Sequence, residues 1–441
     1  MNSNKKIVVL GAGIAGTSTA IGLKKLGFDV TVIYKNRPFT AFEGFSQKTK
    51  EGLISQGCIN ASKLLVEQSL RNSNWATKSN RVNYEFVVNR SILDNVLLED
   101  LKENQIKIIE AKVVGAIDSL EEKPKITYKI DEEKYDLIAD FMVDARGRFT
   151  PFKDEYICGP KSFSLLQELE LENIKENKTS IDSVKDGWIW QAYVGNKRGY
   201  IQFSCDEEFL NRVNSFEDML KILQEQDIKL WSLNNYKVVG KLVKRDSFCK
   251  IHKEIINNKM ILVGDSASSV DPLSGNGAFQ AMSMSSIAPY VINTILNKSK
   301  VEQKVAIDFY KSRVEFIFDK FTKIGKEFYL FEKRFDTIFW KKRQTWPQNK
   351  DELENQIPRI EKKAVVKNGF VNQSEVIITK ENPFGACYFG NIEIIDLAKY
   401  CLKNKFEDSL EYFDVFSKEK NLSMEFYNSL KKWFISQEIL F

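Results

Sequence analysis

The stretch "KKIVVLGAGIAGTSTAIGLKKLGFDVTVIY", Lys5 to Tyr34, decides the fold. Ile7 to Leu10 is an unbroken apolar run of strand length, and it stops at Gly11-Ala12-Gly13-Ile14-Ala15-Gly16. A helical pattern follows, with Ala20, Leu23 and Leu26 on one face. Gly27 ends it, and "DVTVIY" reads as a second strand. A GxGxxG run counts for little alone, but between a strand and a helix it predicts a dinucleotide-binding unit. Gly11 makes the tight turn, Gly13 admits a pyrophosphate to the backbone, and Gly16 lets helix and strand pack closely. The uncapped helix start offers N–H groups and partial positive charge to phosphates. An acidic residue that would hold a ribose is missing from the end of the second strand. Tyr34, Lys35, Asn36 and Arg37 stand there, so Lys35 or Arg37 is expected to hold the ribose. A basic residue at that place also fits the 2′-phosphate of NADPH; the later motifs favour FAD.

Two further stretches repeat the pattern of a short apolar strand running into a glycine turn. "DLIADFMVDARGR" ends a strand pair at Asp144, with Arg146-Gly147-Arg148 as the turn. "KMILVGDSASSVDPLSGNGAFQAM" runs from Met260 to Val263 into Gly264-Asp265, then through Pro272, Gly275, Asn276 and Gly277 into an apolar-faced helix. A glycine in a helical pattern costs about 1 kcal/mol against alanine. Three of them predict backbone that approaches a ligand closely.

Together the three motifs, in this order over roughly residues 5–300, resemble the fingerprints of FAD-dependent monooxygenases of the para-hydroxybenzoate hydroxylase type. Flavin-dependent halogenases and geranylgeranyl reductases share that fold. The resemblance implies an α/β chain, with a Rossmann-like FAD-binding domain of glutathione-reductase type and an antiparallel substrate sheet. It makes Asp265 a ribityl ligand, passes the flavin ring along Pro272, Gly275 and Gly277, and counts Asp144, Gly147, Gly264 and Asn276 among the cofactor contacts. It also puts Arg90, from the R-x-x-x-D helix opening Arg90…Asp94, on the FAD phosphates. "DGWIWQAYV" is similar to the W-x-W segment of halogenases, but Ala192-Tyr193 stand where those carry Ile-Pro, which counts against halogenation. "RPFTAFEGFS" and "DPLSGNGAFQAM" are most similar to the flavoproteins that mature quinohaemoprotein amine dehydrogenase by hydroxylating tryptophan in a protein substrate.

The activity so implied is hydroxylation of an electron-rich aromatic ring, in a small molecule, peptide or protein, through a flavin C4a-hydroperoxide. O2 is the co-substrate, and NAD(P)H or an external flavin reductase is the electron source. A halogenase or a flavin reductase of a small-molecule pathway is the alternative, and a non-catalytic flavin-binding protein is a third. Trp188, Trp190 and Tyr193 are the expected pocket walls, unless they are core aromatics of the sheet. Glu43, in the loop after the second strand, is the candidate base. Lys78, in "NWATKSN", is the nearest counterpart of the halogenases' catalytic lysine.

Bulk properties agree with an enzyme of this kind. The 441 residues are 43% hydrophobic and 28% charged, with net charge +5 from 65 basic and 60 acidic residues, so nucleic acid is not an expected partner. Six scattered cysteines without a CxxC pair, and one histidine, His252, make a Cys/His zinc site improbable and predict no metal. The cysteines fit the reduced cytoplasm. "MNSNKK" leads straight into a strand without the pattern of a secretory leader, so none is expected, and no apolar run reaches the roughly 18–20 residues that span a bilayer. The domain reading is 1–150 with 251–295 for FAD, 151–250 for substrate, 296–345 helical and 346–441 a C-terminal α+β extension. A helical insertion is expected near 45–80.

Overall fold

The computed structural model describes all residues except 1–4, 40, 77, 118–121, 152–154, 173–176, 196, 227–229, 231–235, 349–357 and 441. Most of the polar stretch "WPQNKDELENQIP", 346–358, which reads as a connector, lies outside the described residues.

The chain divides into two units, residues 1–297 with 310–348, and residues 298–309 with 349–441. The first is built on a parallel five-stranded sheet in the order Met260–Leu262, Phe141–Asp144, Lys6–Leu10, Asp29–Tyr34, Lys107–Glu110. Lys6–Leu10, Phe141–Asp144 and Met260–Leu262 are buried on both faces, so they read as continuous apolar runs. Register aligns Leu10 with Asp144, and Asp144 with Leu262. The three glycine turns therefore leave the sheet side by side at its carboxyl edge, where open α/β sheets bind ligands. The Ile14–Lys25 helix packs on the Gly277–Asn297 helix, which carries Pro289 in its interior. Gly22 accommodates that proline: a Cβ there would lie 2.6 Å from the Pro289 ring.

The second sheet has eight strands, ordered Tyr236–Asp246, Phe163–Leu171, Arg198–Cys205, Gly187–Tyr193, Lys178–Val184, Ser69–Trp75, Lys78–Asn89, Phe42–Phe45. All neighbours are antiparallel except Lys178–Val184 with Ser69–Trp75. Three of its strands thus come from before residue 90, which corrects the boundary expected at 150. The expected helical insertion ends early: Gln47–Gln56 and Ile59–Lys63 are helices, and the chain then turns into the Ser69–Asn89 hairpin. "SLRNSNW" hid its strand because polar residues fill both faces. "DLIADFMVDA" is not a strand pair either. Glu133–Ile138 joins a separate sheet with Lys112–Ile117 and Lys125–Ile130, and only Phe141–Asp144 enters the core.

One face of the large sheet is covered by the amphipathic Phe216–Glu225 helix, whose start carries a capping box of Ser215 and Asp218. The other face carries Trp188, Trp190, Tyr200 and Phe42. Tyr329, Phe339 and Trp340, which lie at and beyond the end of the Lys300–Phe331 helix, pack in the same cluster.

The second unit contains the hairpin Arg359–Lys367 with Phe370–Ile378, a short pair Tyr388–Phe389 with Ile392–Glu393, and helices Ile395–Cys401, Phe406–Glu419 and Met424–Ser436. Its own core gathers Ile377, Leu397, Phe413, Leu430 and Phe434. Among the described residues no helix is long and apolar enough to cross a membrane, and no group of three His, Cys, Asp or Glu is placed to hold a metal.

Candidate active site

A cavity of about 1100 Å3 lies in the first unit and is lined by all three glycine turns and by the large sheet. At its dinucleotide end Gly11 has φ +104°, and a Cβ there would lie 2.5 Å from the Ala145 carbonyl oxygen. Gly16 is not on the wall: it packs beneath the turn, where a Cβ would overlap the Gly11 carbonyl oxygen. Gly13 differs, because a Cβ there would meet only Arg90 Nη2, at 3.8 Å. Among the described residues nothing else comes within 4 Å of that point. The helix that follows has no side-chain cap and no acid in its first turn, so its N–H groups and positive end face the cavity.

Arg90 opens its helix beside this turn. It donates from Nη1 to Glu43 Oε2 at 2.9 Å and from Nη2 to Asp94 Oδ1 at 3.3 Å. Asp94 Oδ2 also accepts from Arg37 Nε at 3.0 Å. Burial opposes the guanidinium charge, but Glu43 and Asp94 more than restore it and raise the Arg90 pKa. Burial likewise pushes the Glu43 carboxyl up, and Arg90, Arg37 and Arg245 overcome it, so its pKa is lowered. The structure places Glu43, the base expected from sequence, on the cavity wall as an ion-pair partner of Arg90. Tyr34 and Lys35 also line the cavity. Glu110 lies across from Tyr34 on the next strand and accepts from its hydroxyl at 3.4 Å. It accepts from Asn36 Nδ2 at 2.8 Å and does not line the cavity.

Asp144 is fully buried and holds its own turn. It accepts from Arg146 N, Nε and Nη2, and from Thr150 Oγ1 at 2.9 Å. It shapes the Gly147 turn and is not itself on the cavity wall, which corrects its expected contact role. Asp265 is on the wall, 3.5 Å from Arg148 Nε. Pro272, Gly275 and Gly277 are too, whereas the Asn276 side chain between them is not part of it.

At the substrate-sheet end, Trp188 and Trp190 line the cavity as expected. Tyr193 does not: strand alternation turns it, with Ile189, into the opposite core against Phe216 and Leu220. Lys78 is exposed beside the turn of the Ser69–Asn89 hairpin, paired across it with Trp75, and does not reach the cavity. The side chains brought in from that hairpin are Arg71 and Glu85, which sequence reading missed. A charged residue alternating with Val87 in "YEFVVN" was the available signal.

Three guanidiniums along the wall carry buried N–H groups without partners among the described residues: Arg90 Nε, Arg148 Nη1 and Arg245 Nε. Buried donors left unpaired are costly. Together with the open space at Gly13 and Gly277, they fit an anionic ligand with a flat ring approaching bare backbone, as FAD does.

A parallel sheet with three glycine turns at one edge, feeding a cavity walled by a second sheet, defines a flavin-dependent oxidoreductase of the monooxygenase fold. The chain belongs to the tryptophan halogenase family, whose sequence profile matches residues 40–384. A solved structure of the peptidyl tryptophan dihydroxylase QhpG, described as essential for tryptophylquinone cofactor biogenesis, is 30% identical. It superposes with a TM-score of 0.76, covering 99% of both chains. The flavin-dependent halogenase CmlS shares the fold at 16% identity and TM-score 0.73, over 91% of this chain and 89% of its own. A tryptophan 2-halogenase of Chondromyces crocatus is 22% identical over 78% of this chain and 71% of its own.

Proposed function

We propose that the chain is an FAD-dependent monooxygenase that hydroxylates the ring of a tryptophan held in a peptide or protein. The observation that carries this reading is the full-length likeness to a peptidyl tryptophan dihydroxylase, combined with a cavity that joins the glycine turns to Trp188 and Trp190. Gly13, the start of the Ile14–Lys25 helix and Arg90 hold the pyrophosphate. Lys35 and Arg37 flank the adenosine ribose, and Asp265 with Arg148 holds the ribityl chain. The Pro272–Gly277 backbone faces the flavin ring, and the helix start beyond it favours negative charge there. Bound FAD, reduced by NAD(P)H or by a partner reductase, supplies the electrons and the activated oxygen from O2. The aromatic walls keep water out while the substrate ring is presented. Six dispersed cysteines without a CxxC pair favour a cytoplasmic setting.

Halogenation is the second reading, because the family and the Chondromyces crocatus relative favour it. Arg71, beside Glu85 and the Gly275 turn, supports the first reading, because a guanidinium stays protonated and does not take over a lysine's work as base or nucleophile. The test is a reaction of FAD-loaded, reduced enzyme with O2, chloride and a tryptophan-containing peptide. A gain of about 16 Da per oxygen atom supports hydroxylation, and a gain of about 34 Da, from chlorine replacing hydrogen, overturns it.

A further inference from the structure

Glu85 is a buried carboxylate on the cavity wall to which FAD binding gives no role. It lies on the Lys78–Asn89 strand and is 5% exposed. Its Oε1 accepts from the Trp190 indole N–H at 3.1 Å. Its Oε2 faces Arg71, whose Nη1 is 3.8 Å away, beyond hydrogen-bonding distance. A carboxylate offers about four acceptor sites, and one hydrogen bond fills one of them. Space for Oε2 is kept by Gly44 on the neighbouring strand, where a Cβ would overlap it. Arg71 Nη1 in turn sits 3.6 Å from the place a Cβ would take at Gly275, in the turn assigned to the flavin ring. Gly44, Arg71, Glu85, Trp190 and Gly275 line the same cavity.

We propose that Glu85 selects the substrate ring by its N–H: the open oxygen accepts the hydrogen bond of an incoming indole, as the other already accepts that of Trp190. Arg71, 3.8 Å from the same oxygen, balances its charge, and Trp190 fixes the carboxylate by its hydrogen bond to the other oxygen. Anchoring the nitrogen determines which edge of the ring meets the oxidant. A ring of the same shape without a donor leaves Glu85 under-bonded and binds more weakly. This rests on the monooxygenase reading above and adds the chemical feature by which that site recognises its ring.

The experiment measures binding without turnover, by the absorbance change of oxidised, FAD-loaded enzyme. The probes are N-acetyl-tryptophanamide and its benzothienyl counterpart, in which sulfur replaces the ring N–H. Wild type is expected to bind the indole probe about tenfold more tightly, as for a hydrogen bond to a charged acceptor. Glu85→Gln, which keeps the shape, is expected to lose most of that preference while its affinity for the benzothienyl probe stays put. Equal affinity of the two probes for wild type overturns the assignment whatever the variant does. So does a Glu85→Gln variant that weakens both alike, which marks a structural role. FAD uptake by wild type with equal probe affinities refutes Glu85 alone, whereas wild type that takes up no FAD refutes the cavity reading beneath it.

Discussion

Gly13→Ala separates what the glycine turn does for the fold from what it does for the ligand. In the protein alone the substitution is nearly free of strain. Gly13 has φ −74° and ψ −177°, extended backbone that any residue adopts. The added Cβ meets only Arg90 Nη2 at 3.8 Å, an ordinary van der Waals distance. Alanine is poorer than glycine as a helix N-cap by several tenths of a kcal/mol, up to about 1 kcal/mol. Its lower unfolded-state entropy returns about 0.4–1 kcal/mol. The net change in apoprotein stability is therefore close to zero. The ligand has no such margin, because the Cβ occupies the space through which phosphate oxygens reach the helix N–H groups. Losing one charge-assisted hydrogen bond costs about 1.5–3 kcal/mol, so FAD affinity falls about 10- to 150-fold. Gly16→Ala supplies the contrast. Its Cβ overlaps the Gly11 carbonyl oxygen, and overpacking of this kind costs about 1–3 kcal/mol in the apoprotein. Apoprotein melting and a flavin fluorescence titration read the two effects separately. A Gly13→Ala apoprotein as destabilised as Gly16→Ala, or one that binds FAD as wild type does, would refute the reasoning.

Three further outcomes follow from the geometry. Glu332 has a fully buried side chain and accepts from Ser183 Oγ at 2.6 Å, Ala76 N at 3.0 Å and Arg334 Nη2 at 2.6 Å. Burial pushes its carboxyl up, but Arg334, Ser183 and the backbone donors prevail and hold it at about 2, below the usual 4.5. Its stabilisation is complete above pH 4.5 and is lost as pH falls toward 2, so the stability gap between wild type and Glu332→Gln should close over that interval in acid titrations. Tyr193→Ala should cost about 3–5 kcal/mol in denaturant melts, as other large aromatic truncations do, and leave the dissociation constant of the tryptophan probe unchanged in the surviving folded enzyme. Trp188 donates from Nε1 to Tyr329 Oη at 3.1 Å on the cavity side; Trp188→Phe should weaken that probe severalfold with FAD affinity intact, read by the same absorbance titration.

The dinucleotide turn was legible because its causes are local. A strand, a glycine at φ +104° and a helix start lie within a dozen residues. The third motif was legible for a similar reason, since bare backbone needs glycines in sequence. Residues whose role depends on what faces them were not. Asp144 ends a core strand in the fingerprint position, yet its carboxylate turns back onto Arg146 and Thr150. Tyr193 and Trp190 share the strand "GWIWQAY", buried on both faces, so hydropathy alternation could not tell the cavity side from the core side. Lys78 answers to a search for a lysine, a residue type that does not point to Arg71. The hairpin register places Lys78 beside its turn and Arg71 seven residues earlier in the chain, against Glu85. That pairing joins two strands with no sequence motif between them.

The most direct test of the monooxygenase account is the mass of the product formed under 18O2 in chloride buffer, by FAD-loaded and reduced enzyme acting on a tryptophan-containing peptide. The account predicts a gain of about 18 Da for each oxygen inserted, with the label on the indole ring and no chlorine isotope pattern. A chlorinated ring, or an oxygenated ring free of the label, would contradict it.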